Sequence, residues 1–360
     1  MAETFNLSEL VIPGTFIRVR AEGLISVGGI STGNIGIVGT AGEGLGDVTH
    51  LLSDYDGARD ALGDYDEFDG GNGTLNLTRG VELAYKNGAR IVYARALDPA
   101  EAGQDDYIAA FNELAKDDVN ILIAPELPTS DALAVFGSVL ETAENSGKDM
   151  MAVIGCDETT IAGIQGQVTT NDRIIMCTPG IVGFDAIAGA EVTLDGTYTA
   201  AAIAGLLSTL APQSSPTNKI LPGVVQLARR YSYGEMTALV GTRLMVLEQR
   251  GGIRVVRGLT TDDAAFTQVT TRRIVDFAKA GIRKASDPFI GKLNNQRVRA
   301  ALRGAIDGFL TTMLQDEALI GYTLEVTATR QDEIAGRAMV NVVLQPTFSI
   351  DFVAVTMVLE

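Results

Sequence analysis

Towards the end of the chain, apolar and polar residues alternate in short runs. Residues 322–330 and 337–344 both alternate, and they flank a turn-like stretch over 331–336. The pattern predicts a β-hairpin with a loop longer than the two-residue kind. Its apolar positions include Leu324, Val326, Met339, Val340, Val342 and Leu344. A third apolar run, 348–359, follows Gln345 and Pro346, with nothing after it to cover it. So apolar a strand has to pair with a sheet. The proline in the short connector works against its folding back beside its own hairpin. Two readings stay open: a last strand of the domain's own sheet, or an arm donated to a neighbouring subunit as an added strand.

The other end has a similar feature. Pro13 and Gly14 mark a turn, and 15–21 alternates as a strand, with Phe16 and Arg18 on one face and Ile17 and Val19 on the other. This strand precedes any domain core, so both ends read as arms. A buried strand is expected over 34–40, a helix over 75–87 closed by Gly88, and a strand over 89–96. From 105 to 212 short apolar strands (119–124, 149–155, 173–177) alternate with helices (106–116, 131–145, 197–210). That alternation predicts a mainly parallel sheet covered on both faces. Beyond it come a helix-like stretch over 234–248, a strand over 253–257 and two amphipathic helices. Ile274, Phe277, Ala278 and Ile282 share a face of the first; Val298, Leu302, Ile306, Phe309 and Met313 share a face of the second. The fold class expected is α/β, or α+β overall: a mainly α/β sheet domain, a second domain of two helices and a hairpin, and extended β arms.

The chemistry-bearing residues are few. Oxygen-rich 54–69 lacks the closing glutamate of a calcium loop and reads as a solvated acidic helix and loop. Gly39, Gly42, Gly44 and Gly46 look like a dinucleotide-binding turn but have the wrong spacing. Glu126 and Asp157, at strand carboxyl ends, are the acid–base candidates of an open α/β sheet. The single histidine, His50, lies in another segment, so no nucleophile–base set is expected. Cys156 and Cys177 end apolar runs and read as buried free thiols, not a disulfide framework or a zinc site. No catalytic, cofactor or metal residues are assigned. The N-terminus lacks a signal-peptide pattern and no stretch is long enough to span a membrane. At 360 residues and net charge −17 the chain can bury a large core, and its general surface would repel nucleic acid and anionic lipid. Charge is uneven, however. Residues 250–303 carry twelve Lys and Arg against four acids, net +8, leaving −25 elsewhere. That asymmetry points to a docking surface for something negative.

Several stretches, taken in order, resemble the contractile phage tail sheath proteins. They are Pro13-Gly14 through Arg18, the apolar strand at 30–40, Leu51 to Tyr55 with Leu62-Gly63, and 77–95 with its strand Ile91-Val92-Tyr93-Ala94-Arg95. The closing part matches in Thr271-Arg272-Arg273-Ile274, in Phe309-Leu310 through Gly321, and in the hairpin, proline and strand of 322–353. The resemblance implies an N-terminal arm (1–22), an outer α/β domain (23–250, possibly split into 23–97 and 98–250), an inner tube-facing domain (251–345) and a C-terminal arm (346–360). It implies a non-enzymatic subunit without cofactors. Such subunits stack as six-subunit rings into a helical sheath around a tail tube protein, between a baseplate and a tail terminator, in a virion tail assembled in the host bacterial cytoplasm. Phe16, Ile17, Arg18 and Val19 of one neighbour, and Phe348, Ile350, Phe352 and Val353 of another, would add strands to the receiving hairpin. Arg272, Arg273, Lys279, Arg283, Lys284, Arg297, Arg299 and Arg303 would face the tube. Nucleic acid and membrane insertion are not expected. The alternatives are another self-assembling capsid- or surface-layer-like subunit, or an α/β nucleotide-binding enzyme.

Overall fold

The computed structural model describes residues 29–65, 77–99, 102–185 and 189–358. The strand expected over 15–21, with Phe16, Ile17, Arg18 and Val19, lies outside them, as does 66–69 of the acidic stretch.

The elements run β1 (Ile35–Thr40), β2 (His50–Leu52), α1 (Tyr55–Leu62), α2 (Leu77–Lys86), β3 (Val92–Leu97), α3 (Gln104–Leu114), β4 (Ile121–Ile123), α4 (Thr129–Asn145), β5 (Met151–Gly155), α5 (Ile161–Gly166) and β6 (Ile174–Thr178). Then come β7 (Ile181–Asp185), β8 (Ala190–Leu194), α6 (Gly196–Thr209), β9 (Gln226–Leu227), α7 (Tyr233–Gly241), β10 (Met245–Gln249) and β11 (Ile253–Val255). The last are α8 (Val269–Ser286), α9 (Gln296–Gln315), β12 (Leu319–Thr327), α10 (Arg330–Ile334) and β13 (Met339–Pro346).

Eight strands form one sheet in the order β11-β10-β6-β5-β4-β1-β3-β2. The six inner strands pair in parallel; β2 and β11 add antiparallel edges. Successive strand residues point to opposite faces, and here both faces are dry. Ile121, Ile123, Met151, Val153, Ile175 and Cys177 face one core, which holds α2 and α6. Leu122, Ala152, Ile154, Ile174 and Met176 face the other, which holds α3 and α4. Covering both faces turns alternation into the continuous apolar runs seen in the sequence. α6 is buried along nearly its whole length, and small residues (Ala200, Ala201, Ala202, Ala204) let it lie against both the sheet and α2. At its start a Cβ on Gly155 would sit 1.6 Å from the Gly196 carbonyl oxygen, so only glycine admits this approach of strand and helix.

Two sequence expectations are corrected here. The helix expected over 234–248 is helix only to Gly241. Arg243 turns the chain in the left-handed region (φ 68°), and 245–249 is the sheet strand β10. Because β10 and β11 are both in the large sheet, a domain boundary at 250/251 would cut a hairpin. The α/β body continues through Val255, and the second body starts with α8. The small antiparallel sheet β8-β7-β9, which packs on α6, has no counterpart in the sequence reading.

The second body packs α8, α9 and one face of the β12–β13 hairpin around Ile274, Ala278, Leu302, Ile306, Phe309 and Leu310. Phe309 lies flat against α8 where Gly281 leaves room: a Cβ there would be 1.9 Å from the ring. Phe277 tilts onto the same ring at 5.6 Å between centroids.

Candidate assembly surface

The hairpin forms with Tyr322 opposite Leu344, Leu324 opposite Val342 and Val326 opposite Val340. These six side chains are half-buried and pack toward α9. Tyr322 Oη reaches Asp307 Oδ1 at 2.9 Å and Thr311 Oγ1 at 3.0 Å, fixing the hairpin to that helix. Thr323, Glu325, Met339, Asn341 and Val343 alternate onto the outer face. Met339 therefore does not join the apolar row that the sequence reading gave it. Its partner is Thr327, and it points away from α9's core. The connecting loop contains a helical turn, α10, closed by a capping box between Thr329 and Asp332. Among the described residues the hairpin is a sheet of two strands, so each strand has one edge without a neighbour.

The run after Pro346 is not a strand of either sheet in this chain. Residues 348–358 form no ladder among the described residues. Phe348 is 61% exposed, Ile350 81%, Phe352 79% and Val353 80%. Val355, Met357 and Val358 are equally open. Contiguous apolar exposure of this kind marks a surface meant to be covered. The root of the segment is held: Thr347 N–H donates to the Ala318 carbonyl at 3.1 Å and Thr347 Oγ1 to that of Glu317 at 2.7 Å.

The basic positions divide into two groups. Arg272 and Arg273 are buried, so in this subunit neither is available to a tube. Arg272 donates to Asp172 at 2.7 Å and also to Asp276. Arg273 points into the seam between the two bodies and donates to the carbonyls of Thr32 and Leu210, both at 2.9 Å. With no carboxylate beside it, its burial lowers its pKa to about 10. Lys279 and Arg283 both reach Asp149 on the α/β body, and Lys279 also reaches Glu144. Arg173, from the start of β6, completes the cluster with Glu144 (2.8 Å), Asp149 (2.9 Å) and Asp276 (3.0 Å). Four cations and four carboxylates thus form a charge-balanced clasp between α8 and the α/β body. The sequence assigned three of these cations, Arg272, Lys279 and Arg283, to a docking face because, Asp276 apart, the carboxylates they meet lie 100 to 135 residues away along the chain.

Arg299 is also engaged, with Glu333 and Asn294 at 2.9 Å, tying α9 to the hairpin loop. Lys284, exposed, donates to the Gly29 carbonyl. Arg297 and Arg303 are exposed on α9.

The acid–base candidates sit in local frameworks. Glu126 accepts from Thr40 Oγ1 at 3.3 Å, and Asp157 accepts from the Thr129 N–H at 3.0 Å and from Gln167. His50 Nε2 lies 3.0 Å from the Gly44 carbonyl. Cys156 and Cys177 are buried free thiols. No helix among the described residues is long and apolar enough to cross a membrane.

Comparison with curated proteins found no match. Among solved structures, the fold is similar to a chain of the anti-feeding prophage baseplate, six-fold symmetrised. The TM-score is 0.76 at 17% identity, covering 97% of this chain and 99% of that one. It is similar to the sheath complex of the extracellular contractile injection system PVC in its contracted state, with TM-score 0.75 at 18% identity, covering 97% and 98%. It is also similar to the sheath tail protein of Desulfitobacterium hafniense, with TM-score 0.65 at 14% identity, covering 93% and 100%. Residues 100–261 match the family model of the phage tail sheath protein central domain, and 261–360 that of the phage tail sheath C-terminal domain. The shared join at 261 falls between β11 and α8, where the two bodies meet. The chain belongs to the phage tail sheath protein family and is a structural sheath subunit.

Proposed function

We propose that copies of this chain polymerise, six to a ring, into a helical sheath around an inner tube, and that contraction of the lattice drives the tube through a target envelope. The observation that carries this reading is the pairing of a two-edged hairpin with an exposed apolar arm in the same chain. Each supplies what the other lacks: an open edge offers main-chain donors and acceptors, and an extended segment fills them. The arm of one subunit and residues 15–21 of another would add to the two edges, so the connections persist while subunits rotate. The lattice works without catalysis, since a metastable packing stores the energy and relaxes when its ends release it. A baseplate and a tail terminator would hold those ends, in a tail assembled in the host cytoplasm.

The tube-facing surface is narrower than the sequence implied. Of the cations the resemblance placed there, Lys284, Arg297 and Arg303 are exposed, whereas Arg272, Lys279 and Arg283 join the clasp, Arg273 lies buried in the seam and Arg299 binds the hairpin loop. Exposed, screened charge contacts are weak singly and suit a surface that must slide or release. Arg303→Glu is expected to lower co-sedimentation with an acidic tube severalfold while leaving sheath self-assembly intact. Unchanged co-sedimentation would remove α9 from the tube interface.

The test of the whole reading is negative-stain microscopy of concentrated protein. Hollow cylinders with helical striation are expected. Small dispersed particles at every concentration, with or without tube, would overturn it.

A further inference from the structure

Gln268 occupies the N-cap position of α8, where Ser, Thr, Asp or Asn normally accepts a hydrogen bond from the first turn. Its backbone is extended, as a cap requires, yet its side chain makes no cap bond. The amide is turned to the C-terminal arm instead. Oε1 accepts from the Ser349 N–H at 3.0 Å, and Nε2 donates to the Ser349 carbonyl at 3.3 Å and to Asp351 Oδ2 at 3.3 Å. One side chain thus satisfies both main-chain groups of an arm residue, as a neighbouring strand would.

Asp351 is the second point of attachment. Its side chain is 6% exposed, while Ile350 and Phe352 on either side are 81% and 79% exposed. Arg257 Nε donates to Oδ2 at 2.7 Å and Thr217 Oγ1 to Oδ1 at 3.3 Å. The Arg257 guanidinium also lies 5.2 Å from the Phe352 ring centre. Thr270 Oγ1 and Ser349 Oγ are 3.3 Å apart.

We propose that Gln268 and Arg257 are positioning residues that clamp the root of the arm, fix its direction, and choose which of its faces is offered to a second copy of the chain. This rests on the strand-exchange reading and adds to it the part of the arm that never leaves home. With Ser349 and Asp351 held inward, the two-residue period of an extended chain puts Phe348, Ile350 and Phe352 outward. A slip of one residue would present the acid to the partner and bury the aromatic against the wrong surface. The donated strand begins at Phe352, directly after the last clamped residue, and the hinge that absorbs subunit rotation lies there.

The test uses Gln268→Ser in the full chain. Serine can cap α8, so Tm is expected to stay the same or rise. Amide hydrogen exchange at Ser349, whose N–H donates to Gln268, should quicken at least tenfold in dilute protein, and the concentration for half-assembly should rise at least threefold. Arg257→Leu should act the same way on exchange and assembly, and Arg257→Lys, which keeps the charge, should restore most of both. Unchanged exchange and assembly in Gln268→Ser and Arg257→Leu would overturn the clamp. A fall in Tm that parallels the loss of assembly in both would overturn the positioning role, since it reports general damage. A chain ending at Asp351 serves as control. If it still assembles, strand exchange itself fails; if it does not assemble but the clamp variants do, only the clamp fails.

Discussion

A chain ending at Asp351 folds as the full chain does and no longer polymerises: that is the expected result of removing the donated part of the arm. The two halves of this expectation have separate physical grounds. Folding survives because none of Phe352, Val353, Val355, Met357 and Val358 is buried in its own subunit. Removing them costs the isolated subunit no core, and the root contacts of Thr347, Ser349 and Asp351 remain. Assembly fails because those five side chains are the apolar surface a partner would cover. Covering each fully contributes about 1.5–3 kcal/mol. After the cost of ordering the segment, a net loss of about 5 kcal/mol per junction is a conservative figure, and each 1.4 kcal/mol is tenfold in affinity. The concentration needed for assembly should therefore rise by about a thousandfold or more. Size-exclusion chromatography with thermal unfolding measures both halves. Loss of cooperative unfolding in the truncated chain would mean the last run belongs to its own core; retained polymerisation would mean the arm is not the linker.

Arg173→Met is expected to lower stability by about 3–5 kcal/mol. The arginine is 4% exposed and donates to Glu144, Asp149, Asp276 and the Met150 carbonyl. Methionine fills much of the volume but leaves Asp149, itself 3% exposed, with fewer counter-charges in a dry site. The broken cluster, more than the pair that is lost, sets the cost. The cluster also sets the acid limit. Hydrogen bonding from Arg173, against the opposing effect of burial, brings Glu144 down from 4.5 to about 2. Burial raises the Asp149 pKa, but the bonds from Lys279 and Arg283 outweigh it and leave that pKa lowered. A carboxylate held below its unfolded pKa contributes stability that is complete above the unfolded value and is lost as pH falls through the folded one. Wild-type stability in urea should therefore fall between about pH 4.5 and 2. In Arg173→Met much of that contribution is already gone at neutral pH, so the acid slope should be shallower. Equal acid slopes in the two chains would show that the clasp is not what titrates.

The α/β body was legible because its signals are local. Parallel strands buried on both faces give continuous apolar runs, and the helices between them carry a period of 3.6 residues. The expected strand at 149–155 and helix at 197–210 correspond closely to β5 and α6. The hairpin was legible by its alternation, and the arm by apolar residues that its own subunit leaves uncovered. The short strands β7, β8 and β9 gave no comparable signal. β10 was hidden because the turn between α7 and that strand is made by Arg243, a residue type that does not announce a left-handed backbone.

The basic stretch shows where sequence stops. Twelve cations in 250–303 are a local fact, and charge asymmetry is a fair guide to a docking face. Whether an arginine faces a partner or a buried aspartate depends on what the fold carries to it from far along the chain. Asp172 reaches Arg272, and Asp149 reaches Lys279 and Arg283, only because the body closes on α8. Gln268 is a similar case: in sequence it is an indifferent helix start, and only the arm lying across it gives its amide a purpose. The sequence by itself determined most elements of the α/β body, the hairpin, the family and the apolar run at the end, because periodicity and apolar excess are properties of neighbours. The tertiary structure alone decided which charges are spent inside the subunit, which hairpin face is free, and where the arm is anchored, because pairing energies belong to contacts between residues that the sequence keeps apart.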